Sequence, residues 1–183
     1  MIFITIISEK NYTDCQLLFT DTDSLFYQIN TERDIYEDVW VDRNLFDNSD
    51  YPKSSKFFFG ENKKVIGKFK DEAAGKPILE FVGLKSKMYS YITEDIGNNI
   101  VNNKTAKGVK KDVIKNEIKH SDCLNVLFQK EIMYHQMRSI RSELHQISSY
   151  HLNKVSLSPF DDKRYILDDG ITSYAYGNAA LRH

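Results

Sequence analysis

Phe19-Thr20-Asp21-Thr22-Asp23-Ser24 sets two carboxylates one residue apart between two apolar runs. Residues 15–20 and 24–29, rich in Leu, Phe, Tyr and Ile, read as short strands joined in a tight hairpin. Two-residue hairpin turns prefer Asn-Gly or Asp-Gly, because the backbone needs positive φ there. This turn has no glycine, and it holds two negative charges close together. Like charges at that spacing repel unless a cation sits beside them. One reading is therefore a divalent-metal site of hard oxygen ligands, suited to Mg²⁺. The plainer reading is a solvated polar turn, which usually wins for an arbitrary Asp-x-Asp. An EF-hand loop is excluded, since it needs a glycine where Phe26 stands.

The chain around this turn has 183 residues, 41% of them hydrophobic, enough for one ordinary domain or two small ones. Eleven Phe and eleven Tyr exclude a disordered tail. The apolar start, residues 1–7, is too short to span a bilayer and lacks the marks of a secretory leader. No membrane partner is expected. Cys15 and Cys123 have no metal-type spacing, and two lone thiols fit a reducing compartment. The net charge of −1 hides a gradient. Residues 1–62 carry 5 basic and 12 acidic side chains, and residues 63–119 carry 13 and 7. An acidic first third beside a basic middle points to a polyanionic partner for the middle segment.

Further elements follow from periodicity and punctuation. Thr31 as cap, with Asp34 three residues on, starts a helix expected to run to about Phe46. Residues 65–70 and 79–84 are strand-like, and 87–93 and 100–109 are expected to pair across Gly97-Asn98-Asn99. Residues 110–118 and 122–128 read as short helices, the second capped by Ser121. Strands are expected over 133–147 and 151–157. Lys104, Lys107, Lys110, Lys111, Lys115 and Lys119 crowd one stretch, and Lys107, Lys111 and Lys115 lie four apart as a basic helical stripe. The five histidines show no ligand-like spacing, and no serine or cysteine nucleophile has a supporting motif. The fold class is α+β, with strands and helices mixed rather than alternating.

Residues 19–24 resemble the Tyr-x-Asp-Thr-Asp-Ser motif of family B DNA polymerases, with Phe19 in place of the tyrosine. Lys87-Met88-Tyr89 is similar to the Lys-x-Tyr element that follows in that family, and Lys107-Gly108-Val109-Lys110-Lys111 to its next basic stretch. Asp161-Asp162-Lys163-Arg164 and Ala175-Tyr176-Gly177 resemble the end of such chains. The nearest branch is the protein-primed one of viruses, linear plasmids and Polinton-type transposons. The resemblance covers the chain from about Cys15 onward. It implies a partial palm over 1–93 (antiparallel strands with a helix) and a thumb-like, mixed DNA-binding subdomain over 94–183.

The resemblance also implies the chemistry. Asp23, and with it Asp21, is the catalytic and metal-binding pair for two Mg²⁺ ions in nucleotidyl transfer to a primer 3′-hydroxyl. Lys87, Tyr89, Lys107, Lys110 and Lys111 are the DNA-binding residues. On a strand from residue 87, Lys87 and Tyr89 would face the same side. The partners are primer–template DNA, deoxynucleoside triphosphates and, in the protein-primed branch, a terminal priming protein. The location is intracellular, wherever the DNA is replicated, nucleus or cytoplasm. A second metal-binding aspartate strand of the Asp-x-x-Ser-Leu-Tyr-Pro type does not occur in the sequence, nor does a Lys-x-x-x-Asn-Ser-x-Tyr-Gly fingers helix. The expectation is a carboxyl-terminal polymerase part, inactive alone. A non-catalytic DNA-binding remnant is the alternative. A nucleotide-sugar transferase ranks last, since only 20 residues precede Asp21.

Overall fold

A computed structural model describes residues 15–21, 24–94, 99–160, 164–170, 172–175 and 177–181, and the fold is α+β, with small, mostly antiparallel sheets and few helices. The chain divides into two compact units. The first takes the described residues up to Leu79 together with those of Thr93–Val101. The second takes Glu80–Ile92 and the described residues of Asn102–His183. Each unit thus draws on both sides of the 93/94 boundary expected from the sequence.

In the first unit, β1 (Cys15–Asp21) and β2 (Ser24–Ile29) form the antiparallel hairpin expected from the two apolar runs. Leu18 is the extra residue of a bulge between Leu17 and Phe19. Phe19 meets its cross-strand partner Phe26 edge to face, with ring centroids 6.0 Å apart. No described side chain of the hairpin is buried, although apolar residues occupy both of its faces. Strands apolar on two faces are the kind that lie inside a covered sheet.

Helix α1 (Ile35–Val41) begins later and ends earlier than its periodicity suggests. Asp34 is the N-cap, its carboxylate accepting from the Tyr36 N–H, while Thr31 instead accepts from the Arg33 N–H. After Val41 the chain tightens into a 3-10 turn, Arg43–Leu45, and then enters β3 (Phe46–Asp47). The Asn62 amide fixes that exit by donating to the carbonyls of Arg43 and Phe46, both at 2.9 Å. Strand β3 pairs in parallel with β4 (Phe69–Lys70). Only these last two residues of the expected strand 65–70 are extended, because Lys64 and Gly67 take positive φ just before them.

Two aspartates organise the loops of this unit. Burial pushes the Asp47 carboxyl up, but bonds from the Ser49 hydroxyl and the N–H groups of Lys64 and Ser49, with the Lys70 charge, hold it below the usual range. Asp71 accepts from the Ala73 N–H, the Gly75 N–H and the Tyr51 hydroxyl, the last at 2.7 Å. Burial, and then the Asp71 charge, drive the Tyr51 phenol far up, so it serves as a permanent donor. Lys68 donates to the Asn44 carbonyl and Lys70 pairs with Asp50, so both lysines are engaged within the unit.

The second unit holds the larger core. It takes residues 80–85, 88–92 and 102–106 of the three-stranded sheet β5 (Ile78–Lys85), β6 (Met88–Glu94), β7 (Ile100–Ala106), strands close to those expected. Helices α2 (Lys111–Asn116) and α3 (His120–Gln129) follow. The start of α3 is held by Asp122, whose carboxylate accepts from the Lys119 N–H at 2.7 Å, so the expected Ser121 cap lies inside the helix. Val82, Leu84, Met88, Ala106, Val113, Ile118, Cys123, Val126, Met137 and Leu157 form one core cluster. Strands β8 (Met133–Glu143) and β9 (Gln146–Leu157) make a long antiparallel hairpin, and β10 (Arg164–Ile166) pairs with β11 (Ser173–Ala175). The β8–β9 turn is Leu144-His145, both at positive φ, rather than a break near residue 149.

Cys123 gives a direct check on this packing. It is buried, and desolvation, with a smaller push from Asp122, raises its thiol to about 11. Cys15 is only half-buried. At pH 8 Ellman's reagent is expected to titrate one thiol quickly and the second only on unfolding, since the thiolate is the reactive form. Two fast thiols in the native protein would show that α3 does not seal the core.

Candidate nucleic-acid interface

The basic residues of the sequence reading converge in the second unit through two turns. The β5–β6 turn is Ser86-Lys87, with Lys87 at φ +59°. Lys87 therefore belongs to the turn, and strand β6 starts at Met88, one residue later than expected. The same-side argument for Lys87 and Tyr89 consequently fails, because strand alternation does not extend into a turn. Tyr89 sits on β6, half-buried, between Phe81 at 6.1 Å and the stacked ring of Tyr91 at 6.4 Å.

The second turn is Lys107-Gly108, between β7 and α2. Gly108 has φ +86°, a conformation that favours glycine. The Lys107 N–H donates to the Lys87 carbonyl at 2.9 Å, and the Val109 N–H donates to Ala106 at 3.2 Å. Two basic elements twenty residues apart in sequence are thus joined backbone to backbone. Lys107, Lys110 and Lys111 are exposed and Lys87 is half-buried. Lys107 precedes the helix and Lys110 is its N-cap, so only Lys111 and Lys115 of the expected stripe lie on α2.

Not every lysine of the run is available. The Lys104 ammonium turns inward, donating to the carbonyls of Ile118 at 2.5 Å and Lys115 at 3.4 Å, where it closes the end of α2. Conversely, Lys154 on β9 was not singled out from sequence, yet its ammonium reaches the Gly108 carbonyl at 2.8 Å. Lys85 donates to the Phe160 carbonyl at 3.2 Å. A lysine in a strand 46 positions downstream carries no local signal of such a contact. Among the described residues, no carboxylate forms an ion pair with Lys107, Lys110, Lys111 or Lys154. The result is a positive surface around a glycine turn, suited to a polyanion.

The carboxylate pair lies in the first unit. Asp21 closes β1 opposite Ser24, with Thr22 and Asp23 between them in the chain. Thr22, Asp23 and the Asp21 side chain fall outside the described residues. Asp161 to Lys163 and Tyr176, parts of the expected terminal motifs, do so as well. Among the described residues no group of three His, Cys, Asp or Glu side chains is placed to hold a metal ion. The donor set of the turn suits Mg²⁺, which is commonly held by one or two carboxylates with substrate phosphates and water completing its shell.

One buried polar cluster was missed. The fully buried Ser90 hydroxyl donates to the Asn103 carbonyl and contacts His120 Nδ1 at 2.8 Å. His120 Nε2 lies 3.5 Å from a Glu80 carboxylate oxygen. A serine, a histidine and a glutamate in line have the makings of a hydrolase site, but Ser90 has no accessible surface and cannot meet a substrate. The cluster ties α3 to β5 and β6. Among the described residues, no helix is long and apolar enough to cross a membrane.

Compared with family models, curated proteins and solved structures, the chain matches none.

Proposed function

We propose that this chain is part of a DNA-directed DNA polymerase of family B, its first unit contributing to a palm and its second to a thumb-like grip on primer–template DNA. The observation that carries the reading is the bond from the Lys107 N–H to the Lys87 carbonyl. It places the Lys-x-Tyr element and the Lys-Gly-Val-Lys-Lys element side by side, as two parts of one phosphate-binding face require. Exposed lysines such as Lys107, Lys110 and Lys111 bind the phosphate backbone of any sequence, which suits an enzyme that must copy all of them. The apolar β1–β2 hairpin, with no buried side chain among those described, supports a larger sheet around it in the working enzyme.

In this reading Asp23 and Asp21 hold Mg²⁺ at the hairpin turn, where the metal supplies charge neutralisation for nucleotidyl transfer. The chain's own residues position: Asp21, at the end of β1, and Asp23, next but one in the chain, would supply the carboxylates, and Lys87, Tyr89, Lys107, Lys110 and Lys111 would hold the duplex. Deoxynucleoside triphosphates are the substrates, and a terminal protein is the primer partner of the branch the sequence resembles.

Lys87→Ala and Tyr89→Ala test the grip. Each is expected to weaken primer–template binding about equally across sequences. For Lys87→Ala the slope of log affinity against log salt should shrink by about one phosphate contact. An unchanged slope would make Lys87 only a turn residue.

A further inference from the structure

We propose that Lys154, from the long β8–β9 hairpin, is a positioning residue for the basic turn, clamping Gly108 so that Lys107 and Lys110 meet DNA phosphates as a set. This rests on the DNA-binding reading above. The Lys154 ammonium donates to the Gly108 carbonyl at 2.8 Å, and it has no carboxylate partner among the described residues. An exposed lysine with no acidic neighbour usually points its charge at water, where its side chain keeps its rotamer freedom. Here the charge is instead aimed at the one carbonyl of a left-handed turn, where glycine already removes side-chain stiffening.

The turn has three tethers: Lys107 N–H to Lys87, Val109 N–H to Ala106, and the Lys154 ammonium to Gly108. The first two are backbone bonds that fix the turn to β7 and to the β5–β6 turn. The third is the one side-chain tether among them, and it comes from β9, whose end, Leu157, is 1% exposed in the core. It therefore couples the lysine-bearing turn to the rigid part of the unit. A turn carrying Lys107 and Lys110 repels itself, and adding a third cation costs more unless that cation is spent on a dipole. The Gly108 carbonyl provides the dipole.

Three substitutions in the full chain test this, with two independent readouts. Lys154→Met should speed hydrogen exchange at the Lys107 and Val109 amides about tenfold, and Lys154→Arg should restore protection. On duplex DNA, Lys107→Ala should lower the salt slope by about one in the parent protein but by much less in the Lys154→Met background. Should Lys154 be merely another phosphate contact, Lys107→Ala would lower the slope equally in both backgrounds, and the clamp would be wrong. Should it be merely structural, the melting temperature would fall while amide exchange at the turn and the Lys107 effect stayed unchanged. That result too would overturn it. If the parent bound no duplex at all, the polymerase reading would fail, and amide exchange would still decide whether the clamp exists.

Discussion

An Asp23→Asn substitution is expected to cut nucleotide incorporation by about three orders of magnitude. The measurement calls for a chimera that joins this chain to the aspartate strand and fingers helix of a complete family B polymerase. Asparagine keeps the shape of the side chain and removes its charge. A metal clamp acts on charge that develops at the transition state, so the loss falls on turnover more than on binding. Duplex affinity and its salt slope should stay within about twofold of the parent, because the substitution leaves the proposed DNA-binding lysines untouched. Asp21→Asn tests the second carboxylate in the same assay. Near-normal extension by the Asp23→Asn chimera would make the turn at residues 21–24 the solvated polar loop that its composition also allows.

Gly75→Val is expected to destabilise the first unit by about 3 kcal/mol or more, enough to unfold much of it. Gly75 has φ +78°, and a Cβ there would lie 2.9 Å from two ring carbons of Tyr51. The ring has no room to retreat. Tyr51 is 4% exposed, and its hydroxyl is bonded to Asp71, the same carboxylate that accepts the Gly75 N–H. Moving the ring therefore breaks one bond of Asp71, and moving the backbone breaks another. Gly67→Ala separates the two causes. Gly67 has φ +86°, but nothing lies within 4 Å of a Cβ placed there, so only backbone strain is added, about 1 kcal/mol. Thermal melts of the two variants should differ clearly. Equal, small shifts would mean that the Asp71 loop does not pack on Tyr51.

The parts legible in the sequence are those set by local pattern. The runs flanking Asp21 and Asp23 gave β1 and β2, and apolar stretches punctuated by glycine gave β5, β6 and β7. Failures occurred where distant residues decide a local outcome. The apolar spacing of residues 35–46 continues as a helix would, yet α1 ends at Val41, and the Asn62 amide holds the carbonyls of Arg43 and Phe46 in the turn that follows. The turn at Leu144-His145 holds no Gly, Asn or Asp, the usual marks of a two-residue hairpin turn, so the sequence points to a break several residues later. Lys104 and Lys154 show the same limit at the candidate site. One lies inside the basic run but is spent on helix carbonyls, and the other lies far outside it but reaches the Gly108 turn. Charge in a sequence locates a basic segment, while only the fold shows which ammonium groups remain for a ligand.

The most direct test is the salt dependence of duplex binding by the full chain. Primer–template DNA of several unrelated sequences should bind with similar affinities, and log affinity should fall with log salt with a slope of about −3.6. That slope is the value for four lysines, Lys87, Lys107, Lys110 and Lys111, each releasing about 0.9 counterions. A slope near zero, or no binding at low salt, would contradict the account.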